Sequence, residues 1–216
     1  MQNNQLIIIP AFNEEATIKI VIESISKIYD VLVVDDGSTD KTVEICNEIG
    51  TKVISHEKNK GYESALITGI RFFLKSNFES FVIIDADGEI DPKSAMKILE
   101  KVNKENPLIC GYRINFYGRT SEKLISFVTS YLFNIKDIYC GCKAIHRSIV
   151  VNSKPEDIAA NTFILFAINY SRKNKISNMP VIGNSRIDES RYGKGFKAEI
   201  FLVKNFIYAL RKIYTN

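Results

Sequence analysis

Three short runs of branched apolar residues, Leu6–Ile9, Val31–Val34 and Phe81–Ile84, constrain the fold of this chain more than any other feature. None alternates with polar residues as a strand wetted on one face would, so each reads as a strand buried on both faces of a parallel sheet. The segments between them have helical periodicity. Ile18, Val21, Ile22 and Ile25 recur at helical spacing behind Asn13, which reads as the cap, with Glu14 and Glu15 in the first turn. A second helix is expected after Ser38 and Thr39, stopping at Gly50 before a short strand around Val53. A third covers Tyr62 to Lys75, and a fourth opens with Asp91 as cap and Pro92 at its first position. Strands alternating with helices over residues 1–110 predict an α/β fold with a mostly parallel central sheet and helices on both faces.

Ligands of such sheets bind outside the carboxyl ends of the strands. Pro10 to Glu14, Asp35 to Asp40 and Asp85 to Asp91 are therefore the segments to read for chemistry. The second half is less regular: a strand near Leu108, a polar loop from Gly111 to Glu122, a helix from Lys123 and a strand from Cys140. A helix over Pro155 to Arg172, a strand at Met179–Ile182 and a loop from Gly183 to Phe196 follow. At 216 residues, 45% of them hydrophobic, the chain is expected to form a single domain.

Asp35-Asp-Gly-Ser-Thr-Asp40 puts two carboxylates at a strand exit, where Asp36 can accept hydrogen bonds from a base or a ribose, or can merely cap the next helix with Ser38. Asp85-Ala-Asp-Gly-Glu89 is sharper. Three alternating carboxylates, Asp85, Asp87 and Glu89, repel one another unless a cation or solvent screens them, and hard oxygen ligands of this kind suit Mg²⁺ or Mn²⁺. An acidic helix entry capped by Asp91 explains Asp91 but leaves Asp85 and Asp87 without a role. In Asn59-Lys-Gly61, Gly61 lets the backbone approach a ligand at a helix N-terminus, although an ordinary helix start has the same composition.

Taken in order, Pro10-Ala-Phe-Asn-Glu14, Asp35–Asp40, Asn59-Lys-Gly61 with Ala65 and Gly69, Asp85–Pro92 and Gly111-Tyr-Arg113 resemble the family-two glycosyltransferases of the GT-A fold, in particular the polyprenyl-phosphate mannosyl- and glucosyltransferases. Lys123–Ser126, Asp137, Gly141–Ala144 and Arg191-Tyr-Gly193 extend the likeness loosely into the second half. The resemblance implies a nucleotide-diphosphate sugar as donor, with Pro10, Ala11, Asn13, Glu14, Asp36, Gly61, Ala86 and Arg191 around it. It also implies Asp85 and Asp87 on the metal and diphosphate, Glu89 as a further oxygen ligand, and Arg113, Arg119 and Lys123 facing an acceptor phosphate. Inversion at the anomeric carbon is implied too, with residues 1–110 as the donor half and 111–216 as the acceptor half. The chain departs from the family where Phe163-Ile-Leu-Phe166 is apolar instead of acidic, and where Gly195-Phe196 replaces Ser-Lys.

A saccharide hydroxyl is the alternative acceptor, with Asp137 or Asp157 as base, and a catalytically silent nucleotide-sugar-binding protein is a further alternative. A nucleotidyltransferase would carry a glycine-rich, arginine-containing loop after its first strand, and Pro10–Glu14 has no glycine. A net charge of +4 without a long basic tract gives little support to nucleic-acid binding, and no nucleic-acid partner is expected. No apolar run approaches ~20 residues and the amino terminus does not read as a signal peptide, so a cytoplasmic location is expected, with peripheral contact at the inner membrane face as an option. That option rests on Ala198 to Tyr214, an amphipathic helix with Ile200, Val203, Ile207, Leu210 and Tyr214 on one side. Its stripe suits packing on the sheet, packing on a second subunit of a homo-oligomer, or an anionic lipid surface.

Overall fold

The computed structural model describes residues 4–114, 120–184 and 196–215. A seven-stranded mixed sheet in the order β3-β2-β1-β4-β6-β5-β7 forms its centre. The three apolar runs become β1 (Gln5–Ala11), β2 (Asp30–Asp35) and β4 (Ser80–Ile83). β1 lies parallel between β2 and β4, with Ile8 opposite both Leu32 and Ile83. β3 (Lys52–Ser55) extends the parallel side, and β6 (Lys143–His146) runs antiparallel between β4 and β5 (Leu108–Arg113). β7 (Ser177–Val181) pairs parallel with β5 at the far edge.

Each run is apolar throughout because both sheet faces are covered. Leu6, Ile8, Leu32, Val34, Phe81 and Ile83 point into one core, and Ile7, Ile9, Val31, Val33, Val82 and Ile84 into the other. The second core is closed by α1 (Ile18–Glu23), α2 (Thr42–Ile49) and α4 (Pro92–Leu99). The first is closed by α3 (Tyr62–Lys75), α5 (Thr120–Phe133), α7 (Pro155–Ile158), α8 (Ala160–Ser171) and α9 (Phe196–Thr215), with the four-residue α6 (Arg147–Val150) at its margin. The chain thus leaves β1 toward β2 over one face and returns to β4 over the other. That reversal opens a crevice at the carboxyl ends of β1 and β4.

Local signals place several boundaries. Gly50 ends α2 in the left-handed conformation at φ 76°, which glycine adopts without a Cβ penalty. Asp91 caps α4 by accepting from the Lys93 amide, with Pro92 at the first position.

Three expectations are corrected. Asn13 caps nothing: α1 starts only at Ile18, because the Asn13 side chain accepts from the Thr39 amide at 2.9 Å and ties the β1 and β2 loops together. The helix expected over Pro155 to Arg172 is broken at Ala159, whose ψ of 140° is extended, into α7 and α8. In the carboxy-terminal helix the inward side is Leu202 and Phe206, with Leu210 packed behind them, so α9 lies against α5 and α8. Of the expected stripe, Ile200, Val203 and Ile207 do not pack on the sheet and remain 38%, 36% and 44% exposed. The apolar stretch Phe163–Phe166 is also explained: Phe163 and Ile164 are buried in the first core.

Candidate functional site

A cavity of about 460 Å³ opens where the crevice is expected. Pro10, Ala11, Phe12 and Glu14 line it from the end of β1, Asp36 from the end of β2, and Asp85 and Ala86 from the end of β4. Asn59 to Glu63, with Ala65, close it from the start of α3. Segments that the sequence offers separately are thus gathered around one space.

Asp36 does not cap α2: the amide of its first residue, Thr42, donates to the Asp40 carboxylate at 3.0 Å. The Asp36 carboxylate instead accepts from the Lys60 amide at 3.0 Å and the Gly61 amide at 2.7 Å, while its own amide bonds to the Ala11 carbonyl. Gly61 sits at φ 93°, where a side chain would be strained, and this turn aims its N–H at Asp36 before α3 begins. His56 completes the arrangement from the end of β3, with Nδ1 2.7 Å from Asp36 Oδ1 and Nε2 2.9 Å from Thr68 Oγ1 on α3. Sequence reasoning gives His56 no role, since a lone histidine after a short strand carries no signal. The geometry makes it a positioning residue for Asp36. His56→Ala is expected to raise the donor KM about tenfold, as loss of a hydrogen bond to a buried carboxylate would, with kcat little changed. Steady-state kinetics with the nucleotide sugar checks this; an unchanged KM would detach the pair from donor binding.

Asp85, 7% exposed, accepts from the Tyr62 hydroxyl at 2.7 Å. Its other oxygen lies against Gly141, where any Cβ would collide with the carboxylate. Tyr62 and Gly141 therefore fix how Asp85 is presented, and neither role is legible in the sequence. Asp87 accepts from the Glu89 amide at 3.0 Å, which shapes the turn after β4. Glu89, expected as a further oxygen ligand beside Asp85 and Asp87, is turned toward Arg113. Its carboxylate accepts from Arg113 Nη1 at 2.7 Å, and no cluster of three metal-ligating side chains exists among the described residues.

Arg113 is placed differently from its expected role. Only 6% of its side chain is exposed. It donates to Asp137 through Nε at 2.8 Å and Nη2 at 3.1 Å, and Glu122 lies 3.5 Å from Nη2. Burial alone would lower the guanidinium pKa, but the hydrogen bonds and charge of Asp137, with Glu89 adding to them, raise it above the ordinary arginine value. One cation thus holds three carboxylates from the β4–α4 loop, α5 and the segment before β6, and its planar fork suits the bidentate contact with Asp137. Lys123 is exposed on α5, Asp157 is exposed on α7, and Asn13 and Glu14 stay at the β1 exit. Arg119 and Arg191 lie outside the described residues.

The comparisons agree with this geometry. The model of the family described as Glycosyl transferase family 2 matches residues 6–153. The uncharacterized protein MJ0544 of Methanocaldococcus jannaschii is 32% identical over 168 residues, which span 68% of this chain and 73% of that protein. The UDP-N-acetylglucosamine–dolichyl-phosphate N-acetylglucosaminyltransferase of Methanococcus voltae is 31% identical over 173 residues, spanning 66% and 69%. Of some other curated relatives the chain spans only about half the length. Glucosyl-3-phosphoglycerate synthase from Mycobacterium tuberculosis, solved with Mn²⁺, UDP and glucosyl-3-phosphoglycerate, superposes with a TM-score of 0.69 at 19% identity, over 95% of this chain and 78% of that one. At that identity the likeness carries the fold alone.

Proposed function

The chain belongs to glycosyl transferase family 2 and is a nucleotide-sugar glycosyltransferase; from that premise we propose that it transfers a hexose, with inversion, from a nucleoside-diphosphate sugar to a polyprenyl phosphate. The observation that carries the donor half is that Pro10, Asp36, Gly61 and Asp85 line the same cavity. Asp36, clamped by the Lys60 and Gly61 amides, reads the nucleoside, with Pro10, Ala11 and Glu14 beside it. The donor site is drawn from residues 1–110 and the acceptor side from 111–216.

Mg²⁺ or Mn²⁺ fits the donor set at Asp85 and Asp87, because such ions are bound through one or two carboxylates together with waters and substrate phosphates. When bound there it would act as a Lewis acid toward the charge that gathers on the leaving diphosphate. The Tyr62 hydroxyl orients Asp85 and the Glu89 amide orients Asp87, which supports this reading. An acceptor oxygen then attacks the anomeric carbon from the face opposite the diphosphate. The new C–O bond forms as the old one breaks, and the electron pair leaves with the nucleoside diphosphate.

The acceptor assignment rests on proton accounting. A sugar hydroxyl must lose a proton to a base, whereas a phosphate monoester, with a second pKa of about 6, already presents an ionised oxygen near neutrality. Of the two candidate bases, Asp137 is bound bidentately by Arg113 and Asp157 is exposed on α7, and the region of Ile164 is packed core. Arg119 and Lys123 are then the groups to meet the acceptor phosphate. The test supplies labelled nucleotide sugars with Mn²⁺ and either a polyprenyl phosphate or a saccharide. The expected product is a lipid-linked sugar that mild acid releases. Transfer to the saccharide with none to the lipid phosphate would move the assignment to a hydroxyl acceptor.

A further inference from the structure

Past the end of β7 the chain runs back along the loop between β4 and α4. Gly183 forms an antiparallel bridge with Ile90, the Ile182 carbonyl accepts from the Asp91 amide at 3.0 Å, and the Ile182 amide donates to Ser94 Oγ at 3.1 Å. These contacts carry Asn184, an exposed residue, to the turn Asp87-Gly88-Glu89. There it makes two hydrogen bonds. Its amide donates to the Glu89 carbonyl at 2.7 Å, and its side-chain Nδ2 donates to the Gly88 carbonyl at 3.2 Å.

The second of these bonds reaches Asp87 through one rigid unit. The Gly88 carbonyl and the Glu89 amide belong to a single planar trans peptide and point in opposite directions from it. Asn184 holds the oxygen end. The hydrogen end donates to Asp87 Oδ1 at 3.0 Å, so the Asn184 side chain and the Asp87 carboxylate grip the same plate from its two sides. Gly88 sits at φ 69°, where glycine tolerates either orientation of the peptide that follows it and a residue with a Cβ would not. Turned over, the plate would set a carbonyl oxygen against the Asp87 carboxylate in place of an N–H.

We propose that Asn184 is a positioning residue for Asp87, its side chain holding the Gly88–Glu89 peptide in the orientation that presents the carboxylate to the divalent cation. The inference rests on the reading of Asp85 and Asp87 as the cation's ligands. Its reach is confined to the side chain: the bond from the Asn184 amide to the Glu89 carbonyl survives any substitution by a non-proline residue, so the segment stays attached and only the grip on Gly88 is lost. Ser94 supplies the contrast. It anchors the same segment at Ile182 and also bonds to Asp91, but neither bond involves the peptide that faces Asp87.

The test is equilibrium dialysis of the full chain against labelled UDP, and separately against labelled GDP, over a range of Mn²⁺ concentrations. Thermal unfolding is followed on the same preparations. Asn184→Ala is expected to raise the Mn²⁺ concentration for half-maximal nucleotide binding about fivefold, as loss of one hydrogen bond would. Binding at saturating Mn²⁺ and the Tm should stay close to parental. Ser94→Ala, which removes a bond from a buried hydroxyl, should do the reverse: a Tm about 2–4 °C lower with the Mn²⁺ midpoint unmoved. A parental midpoint in Asn184→Ala, or an equal rise in Ser94→Ala, would overturn the inference alone and leave the metal reading standing. Nucleotide binding by the parent that does not depend on Mn²⁺ would overturn both.

Discussion

Asp87→Ala is expected to abolish sugar transfer, by on the order of 10³-fold in kcat, while the protein stays folded. Asp87 is part-exposed beyond the end of β4 and accepts from the Glu89 amide, a turn hydrogen bond whose loss costs about 1 kcal/mol. Its proposed work is two residues beyond Asp85, which lines the cavity, where it would present oxygen to a cation shared with the donor diphosphate. Nucleotide-sugar transfer and thermal unfolding, measured on the same preparation, separate the two quantities. A variant that keeps parental activity in Mn²⁺-replete buffer would remove Asp87 from the metal assignment.

Arg113→Ala should have the largest effect on stability. Three carboxylates, Glu89, Asp137 and Glu122, face this one guanidinium in a setting where it is almost fully buried. Removing it leaves them without their shared counter-charge. Breaking a buried ion pair by deleting one partner costs about 3–5 kcal/mol, which corresponds to a fall in Tm of roughly 6–20 °C for a domain of this size. Arg113→Lys should recover little, because an ammonium cannot reproduce the two-pronged contact with Asp137 while also reaching Glu89. Thermal unfolding of both variants decides the point. A Tm close to the parental value in Arg113→Ala would mean that the cluster does not hold the β4–α4 loop to α5.

The parts of the fold that were legible in the sequence were those set by local physics. Unbroken apolar runs gave β1, β2 and β4 because both sheet faces are covered, and the Asp91-Pro92 pair and Gly50 marked helix ends through capping and backbone conformation. What stayed hidden was decided by contacts distant in sequence. Asn13 has the composition of a cap, but the Thr39 amide, 26 residues on, takes its side chain. The register of α9 could not be read because apolar residues occur on most of its circumference, and only packing against α5 and α8 selects Leu202 and Phe206 as the inward side.

The site divides in the same way. Asp36, Gly61 and Asp85 were legible because each ends a buried strand or opens a helix, and the topology alone brings such ends to one crevice. The pairing of Glu89 with Arg113 was hidden because sequence spacing shows charge but not its partner: the two residues, 24 apart, bind each other. His56, Tyr62 and Gly141 act on Asp36 and Asp85 from behind, through contacts that no motif encodes.

The central claim is that Asp85 and Asp87 hold a divalent cation through which the donor diphosphate is bound. Calorimetric titration of UDP and GDP into the parent chain and into Asp87→Ala, with and without Mn²⁺, tests it most directly. The account predicts one nucleotide per chain, bound by the parent only when Mn²⁺ is present and not measurably by the variant. Equal binding by both proteins without metal would contradict it.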